Sequence, residues 1–182
     1  MKRRLLAGIV AGTLLTAPAT LHAQLRTSLT IAGGLSAPVS TLADQADAGY
    51  NAAAGLAFSS RLVPAGVRIE AGLNGVNGRG SGVTATPNIR IVSGTVNGTW
   101  AIGPVDDSPY LIGGVGAYNR RYELNGTPSP DRTAWGFNVG AGLHFPLGAM
   151  STFVEARYHQ MLGNDADGTS YRFIPVTFGV SF

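Results

Sequence analysis

The chain has 182 residues, with 13 Lys and Arg against 10 Asp and Glu and no cysteine. Without cysteine it has neither a disulfide framework nor thiol redox or metal-thiolate chemistry. The basic excess lies in Lys2, Arg3 and Arg4; from residue 24 onward Arg and acidic residues balance and Lys is absent, which leaves no basic stripe for nucleic acid.

The first 23 residues read as a secretory signal peptide. Lys2, Arg3 and Arg4 form its basic start, Leu5 to Leu15 an apolar run, and Thr20-Leu21-His22-Ala23 a cleavage region with Gln24 as the first mature residue. The apolar run is shorter than the roughly 20 residues of a spanning helix. The expected organisation is a signal peptide over 1–23 and one domain over 24–182.

Beyond it, short alternating segments are separated by Gly, Pro, Asn, Asp and Ser clusters, the pattern of strands and turns. Eight segments are predicted as strands: Gln24 to Leu35, Tyr50 to Ser60, Val67 to Asn77, Pro87 to Ile102, Pro109 to Arg121, Thr133 to Phe145, Ser151 to Met161 and Tyr171 to Phe182. Most approach the roughly 9–11 residues of a tilted membrane-crossing strand. Long connections (36–49, 78–86, 122–132, 162–170) alternate with short ones (61–66, 103–108, 146–150). An outer-membrane barrel with both ends in the periplasm alternates in this way.

The faces support that reading. Strand three sets Val67, Ile69, Ala71 and Leu73 against Arg68, Glu70 and Asn74. Strand six sets Trp135, Phe137, Val139, Ala141, Leu143 and Phe145 against Asn138, Gly140, Gly142 and His144. Strand seven sets Val154, Ala156 and Tyr158 against Glu155, Arg157 and His159. In strand eight, Ile174, Val176, Phe178, Val180 and Phe182 alternate with Tyr171, Thr177, Gly179 and Ser181. Strands four and five fix no register. Aromatics at strand ends (Tyr50, Trp100, Tyr110, Trp135, Phe145, Tyr171, Phe182) suit interfacial girdles. The expected fold is all-β: an eight-stranded antiparallel transmembrane β-barrel of up-and-down topology.

The ending YRFIPVTFGVSF resembles the terminal strand of outer-membrane barrels. The segments PYLIGGVGAYNRR, WGFNVGAGLHFPLG and FVEARYHQ resemble the outer-membrane protein β-barrel domain family, whose relatives include the small OmpA- and OmpX-type barrels. The resemblance implies a place in the bacterial outer membrane, among its lipids and lipopolysaccharide. It implies assembly by the outer-membrane machinery, which would read Phe178, Val180 and Phe182.

Strands three and seven face each other across an eight-stranded ring, so Arg68, Glu70, Glu155 and Arg157 are expected to meet in one lumen charge network. Such an interior is just wide enough to be filled by side chains, and charges within it must be paired. The bland reading is a structural plug; the sharper one is an ion path.

A hydrolase reading needs His144 opposite Ser151 with Glu155 further along the same face, the residue types of a Ser-His-acid set. These would face the lumen at the periplasmic end, away from outer-leaflet lipid. Asn164-Asp165-Ala166-Asp167-Gly168 resembles part of a calcium loop but lacks the distal Glu, and Gly113-Gly114-Val115-Gly116 matches no phosphate fingerprint. The expectation is no enzyme, no cofactor and no metal. The leading function is a structural or surface-interaction barrel presenting four loops outward. The alternatives are a narrow ion or small-solute conduit and, further off, a lipid-modifying enzyme. The loop charges (Asp44, Asp47, Arg79, Glu123, Asp131, Arg132, Asp165, Asp167) mix signs and name no extracellular ligand.

Overall fold

The computed structural model describes residues 25–39, 43–44, 46–60, 62–78, 88–103, 109–124, 127–128, 130–147, 150–162 and 171–182. The signal-peptide expectation and the Asn164–Gly168 loop lie outside the described residues, as do Arg79, Asp165 and Asp167.

The alternating segments form eight long strands: β1 (Leu25–Pro38), β2 (Gly49–Ser60), β3 (Ala65–Gly78), β4 (Asn88–Ala101), β5 (Pro109–Leu124), β6 (Arg132–Leu147), β7 (Met150–Met161) and β8 (Arg172–Ser181). Each pairs antiparallel with the next. β1 also pairs with β8, from Thr30↔Ser181 to Pro38↔Phe173. That pairing closes the sheet into an up-and-down barrel, which removes the edges an open sheet would leave. At the seam, Leu29 and Phe182 exchange both backbone hydrogen bonds, at 2.9 and 3.1 Å.

At the end with the long connections, two short bridges extend the barrel. Ala46–Asp47 pairs with Asn77 and Gly78, and Thr127–Pro128 with Glu123 and Leu124. Glu123 and Arg132 therefore belong to strands rather than to a loop.

Side-chain parity divides inside from outside. Ile31, Leu56, Ile69, Val96, Val115, Val139, Val154 and Phe178 are exposed on the outer face. Thr30, Asn51, Asn74, Thr95, Asn97, Asn138 and Thr177 are buried on the inner one. In water, this arrangement would forfeit about 1.5–3 kcal/mol for each large apolar side chain left unburied. In a bilayer it is the stable arrangement, since all backbone polar groups in the ladder bond within the sheet.

The unresolved strands are now settled. β4 turns Ile89, Ile91, Ser93, Thr95 and Asn97 inward, and β5 turns Tyr110, Ile112 and Tyr118 inward. Large apolar side chains on the lumen side had blurred their alternation. Two girdle assignments need correction for the same reason. Tyr50, Trp100, Trp135, Phe145 and Phe182 are exposed on the outer face, whereas Tyr110 and Tyr171 are buried in the lumen.

Glycines make room for these rings. The inner face of β6 runs Gly136, Asn138, Gly140, Gly142. A Cβ at Gly136 would press on the Tyr118 ring, one at Gly142 would collide with the Tyr110 ring, and one at Gly179 on β8 would strike Phe153. Gly94 differs: it faces outward, and an added Cβ would meet nothing within 4 Å.

Gly142→Ala is therefore expected to destabilise the barrel by about 1–3 kcal/mol through overpacking, while Gly94→Ala stays within about 0.5 kcal/mol of the parent. Urea titration of heat-modifiable gel mobility measures both. Equal stability of the two variants would contradict the packing account.

Candidate functional site

The parity of β3 and β7 selects the site. With Val67, Ile69, Val154 and Ala156 directed to lipid, Arg68, Glu70, Glu155 and Arg157 must point inward. Their exposures are 3%, 8%, 1% and 4%. Across the lumen, Arg68 Nη1 donates to Glu155 Oε2 at 2.9 Å and Arg157 Nη2 to Glu70 Oε1 at 2.5 Å. Along the strands, Arg157 Nε lies 2.7 Å from Glu155 Oε1, and Arg68 Nη1 lies 3.7 Å from Glu70 Oε2. The four side chains make a closed ring of alternating sign with no net charge.

These are the four residues that the sequence analysis named for the lumen network; the residues around them it did not name for it. The Tyr110 hydroxyl donates to Glu155 Oε2 at 2.6 Å. The Arg68 guanidinium lies 5.0 Å from the Phe153 ring centre and 5.9 Å from that of Tyr110. Further from the short-turn end, Asn138 Nδ2 donates to Asn97 Oδ1 at 2.8 Å, and Asn97 Nδ2 to Thr95 Oγ1 at 2.9 Å. The Tyr118 hydroxyl and His159 Nδ1 are hydrogen-bonded at 3.0 Å. His159 stacks on Phe173 at 4.9 Å.

Towards the long-connection mouth, the buried Arg120 guanidinium lies over the rings of Tyr171 (3.8 Å) and Tyr122 (4.8 Å), whose hydroxyls bond to each other. The missed residues had one legible signal. On β5, Tyr110 and Tyr118 share parity with Gly114 and Gly116, and on β6 the inward positions are also glycine-rich, so bulky and absent side chains alternate within a tight interior.

The hairpin register that the hydrolase reading required is not the one observed. His144 pairs with Phe153 and Ser151 with Pro146. The β6 and β7 strands run on to Leu147 and Met150, which tightens the hairpin and moves the register by two residues. His144 stacks on Tyr110 at 4.4 Å, and Glu155 is held by the two arginines and Tyr110. Among the described residues, no three His, Asp or Glu side chains gather as a metal site.

Phe178 and Phe182 stand exposed on the lipid face, with Val180 partly exposed between them. At the long-connection rim, Arg121 donates to Asp131 through Nε at 2.5 Å and Nη2 at 2.9 Å, which holds the Asp131 carboxyl below the usual carboxylate range.

A closed eight-stranded barrel with an apolar outer belt and a polar, packed lumen defines a small outer-membrane barrel of the OmpA/OmpX-like class. The model of the outer membrane protein beta-barrel domain matches residues 7–182, and the chain belongs to that family.

Three crystal structures are similar in fold. Neisserial surface protein A shares 13% identity at a TM-score of 0.63, over 86% of this chain and 97% of that one. A major outer membrane protein from Thermus thermophilus shares 12% at 0.54, over 87% and 98%. OprG from Pseudomonas aeruginosa shares 12% at 0.50, over 87% and 97%. No curated protein matches in sequence.

Glu155→Ala leaves two buried guanidinium groups short of a partner and is expected to cost about 3–5 kcal/mol. A double-mutant cycle of Glu155 with Arg68 should give a coupling of about 1–3 kcal/mol in urea unfolding. A coupling near zero would mean that water, not the partner, solvates these charges.

Proposed function

We propose that the chain is a structural and surface-interaction barrel. Residues 1–23 direct export and are removed, the barrel anchors in the outer membrane, and the four connections between β1 and β2, β3 and β4, β5 and β6, and β7 and β8 (39–48, 79–87, 125–131 and 162–171) face outward. The lumen acts as a plug. The observation that carries this reading is the neutral ring of Arg68, Glu70, Glu155 and Arg157, which ties β3 to β7 across the interior. Hydrogen-bonded pairs at Tyr110–Glu155, Asn97–Asn138 and Tyr118–His159 add cross-lumen contacts around the ring, and on the short-turn side a cavity of about 470 Å³ opens against Arg68 and Tyr110. A scaffold fixed in this way leaves its outward connections as the variable, binding part. The reading assigns no catalytic step.

A narrow conduit is the second reading. Arg68 Nε and Arg157 Nη1 are buried without a protein acceptor, and buried polar atoms of this kind are commonly satisfied by water. Planar-bilayer recording separates the two. The plug predicts no steady single-channel current from the parent barrel and the onset of current when Glu70 and Arg157 are both replaced by Ala. A steady current through the parent would overturn the plug in favour of the conduit.

The assembly machinery is proposed to read the side chains of Phe178, Val180 and Phe182. Phe182→Ala keeps the two backbone bonds to Leu29 and removes only the ring. It is expected to lower the yield of heat-modifiable barrel in outer-membrane fractions several-fold; a normal yield would refute the role of the ring. Mass analysis of the inserted protein should give a chain beginning at Gln24.

A further inference from the structure

On the lipid side, β4 and β5 carry two arginines at the end with the long connections. Arg90 and Arg121 are direct cross-strand partners. Both face outward, with Val92 and Val96 on β4 and with Leu111 and Val115 on β5. Like charges set opposite one another on antiparallel strands repel. Asp131 neutralises Arg121 by a bidentate contact that leaves other guanidinium N–H groups for a further acceptor. Arg90 is exposed and has no hydrogen-bond or ion-pair partner among the described residues. The two arginines border a groove of about 420 Å³ that Tyr50 helps to wall, its ring lying across Gly75. Glu123 stands at its lip, one outward step nearer the loops.

Two outward steps down the same strands, about 13 Å at strand rise, the surface sinks at Gly94 and Ala117. This second groove holds about 480 Å³ and has Val96, Val115 and Trp135 as apolar walls. One sector of the barrel thus offers, at headgroup level, an exposed cation with no partner among the described residues and, further down the same two tilted strands, an apolar depression at acyl-chain level.

We propose that this β4–β5 face binds one phosphorylated acyl lipid of the outer leaflet, the lipid A anchor of lipopolysaccharide. Its phosphate sits between Arg90 and Arg121, and an acyl chain lies in the groove of Gly94, Ala117 and Trp135. Charge complementarity selects the anion: a phosphate accepts forked hydrogen bonds from guanidinium groups and removes the repulsion between the two arginines. The spacing of the two grooves along the strands selects a lipid, because free phosphate would fill only the upper groove and a second barrel only the lower. The inference rests on insertion with the long connections outward and does not depend on whether the lumen is a plug.

The test uses the barrel with Trp100→Phe, so that Trp135 is the reporting tryptophan, in phosphatidylcholine nanodiscs. Lipid A with both phosphates and brominated acyl chains is titrated in while Trp135 emission is followed. Saturable quenching is expected. Arg90→Ala or Arg90→Gln should weaken it roughly ten-fold, the loss of a charge-assisted hydrogen bond. Gly94→Leu should suppress it by filling the lower groove, and Glu123→Gln should strengthen it by removing a carboxylate near the phosphate. Heat-modifiable mobility of each variant establishes insertion separately from binding. Equal quenching by dephosphorylated brominated lipid A, or no effect of the Arg90 variants, would reduce the face to unspecific annular contact and overturn the proposal. Displacement by millimolar inorganic phosphate, or a native mass of two barrels, would overturn it in favour of a free-phosphate site or a dimer face.

Discussion

A peptide group left without a hydrogen bond in hydrocarbon costs several kcal/mol, and this chain meets that constraint by closing β1 on β8. The closure is complete down to the reciprocal bonds between Leu29 and Phe182. Much else follows from it. Once the ring is closed with eight strands, each residue has one of two destinations, lipid or lumen. A register slip of one residue would exchange them along a whole strand.

The lumen charges are best understood against that slip. A buried ion pair is weak evidence of net stability, since well-packed apolar side chains of the same volume often do as well. In a membrane barrel the comparison that matters is with the wrong register. Turning Arg68 or Arg157 to the lipid midplane would cost roughly 2–4 kcal/mol each, whereas in the native register each finds a carboxylate. The ring therefore discriminates between registers on β3 and β7, where the small outer-face residues Ala71 and Ala156 hold the chain only weakly. Tyr110 links the ring to β5, and the missing side chain at Gly142 on β6 makes space for Tyr110. One electrostatic arrangement thus depends on glycines that carry no charge.

The outer surface is less uniform than a simple apolar belt. Exposed aromatics towards both ends, Tyr50 on one side and Trp100 and Phe145 on the other, fit the two interfaces of a bilayer. Between them the β4–β5 sector is thinned at Gly94 and Ala117 and topped by Arg90 and Arg121. A charged residue on a lipid-facing strand is costly at the midplane and nearly free at the interface, so the position of these arginines marks the depth at which headgroups meet the barrel.

By itself the sequence determined the strand count, the alternation of long and short connections and the closed membrane barrel, and it named Arg68, Glu70, Glu155 and Arg157 as lumen candidates. These depend on period-two alternation and on chain order, both of which are local. It left β4 and β5 open because Ile89, Ile91, Tyr110, Ile112 and Tyr118 point into the lumen, so hydrophobicity there no longer marks the lipid face. It placed Tyr110 and Tyr171 in the girdles and left the β6–β7 hairpin register conditional, because a strand-end aromatic and a hairpin register have no local signature of direction or length. Only the tertiary structure decided those points: which ring fits beside which glycine, how the β6–β7 hairpin tightens, and which carboxylate each arginine reaches are set by distances across a closed lumen that no single strand contains.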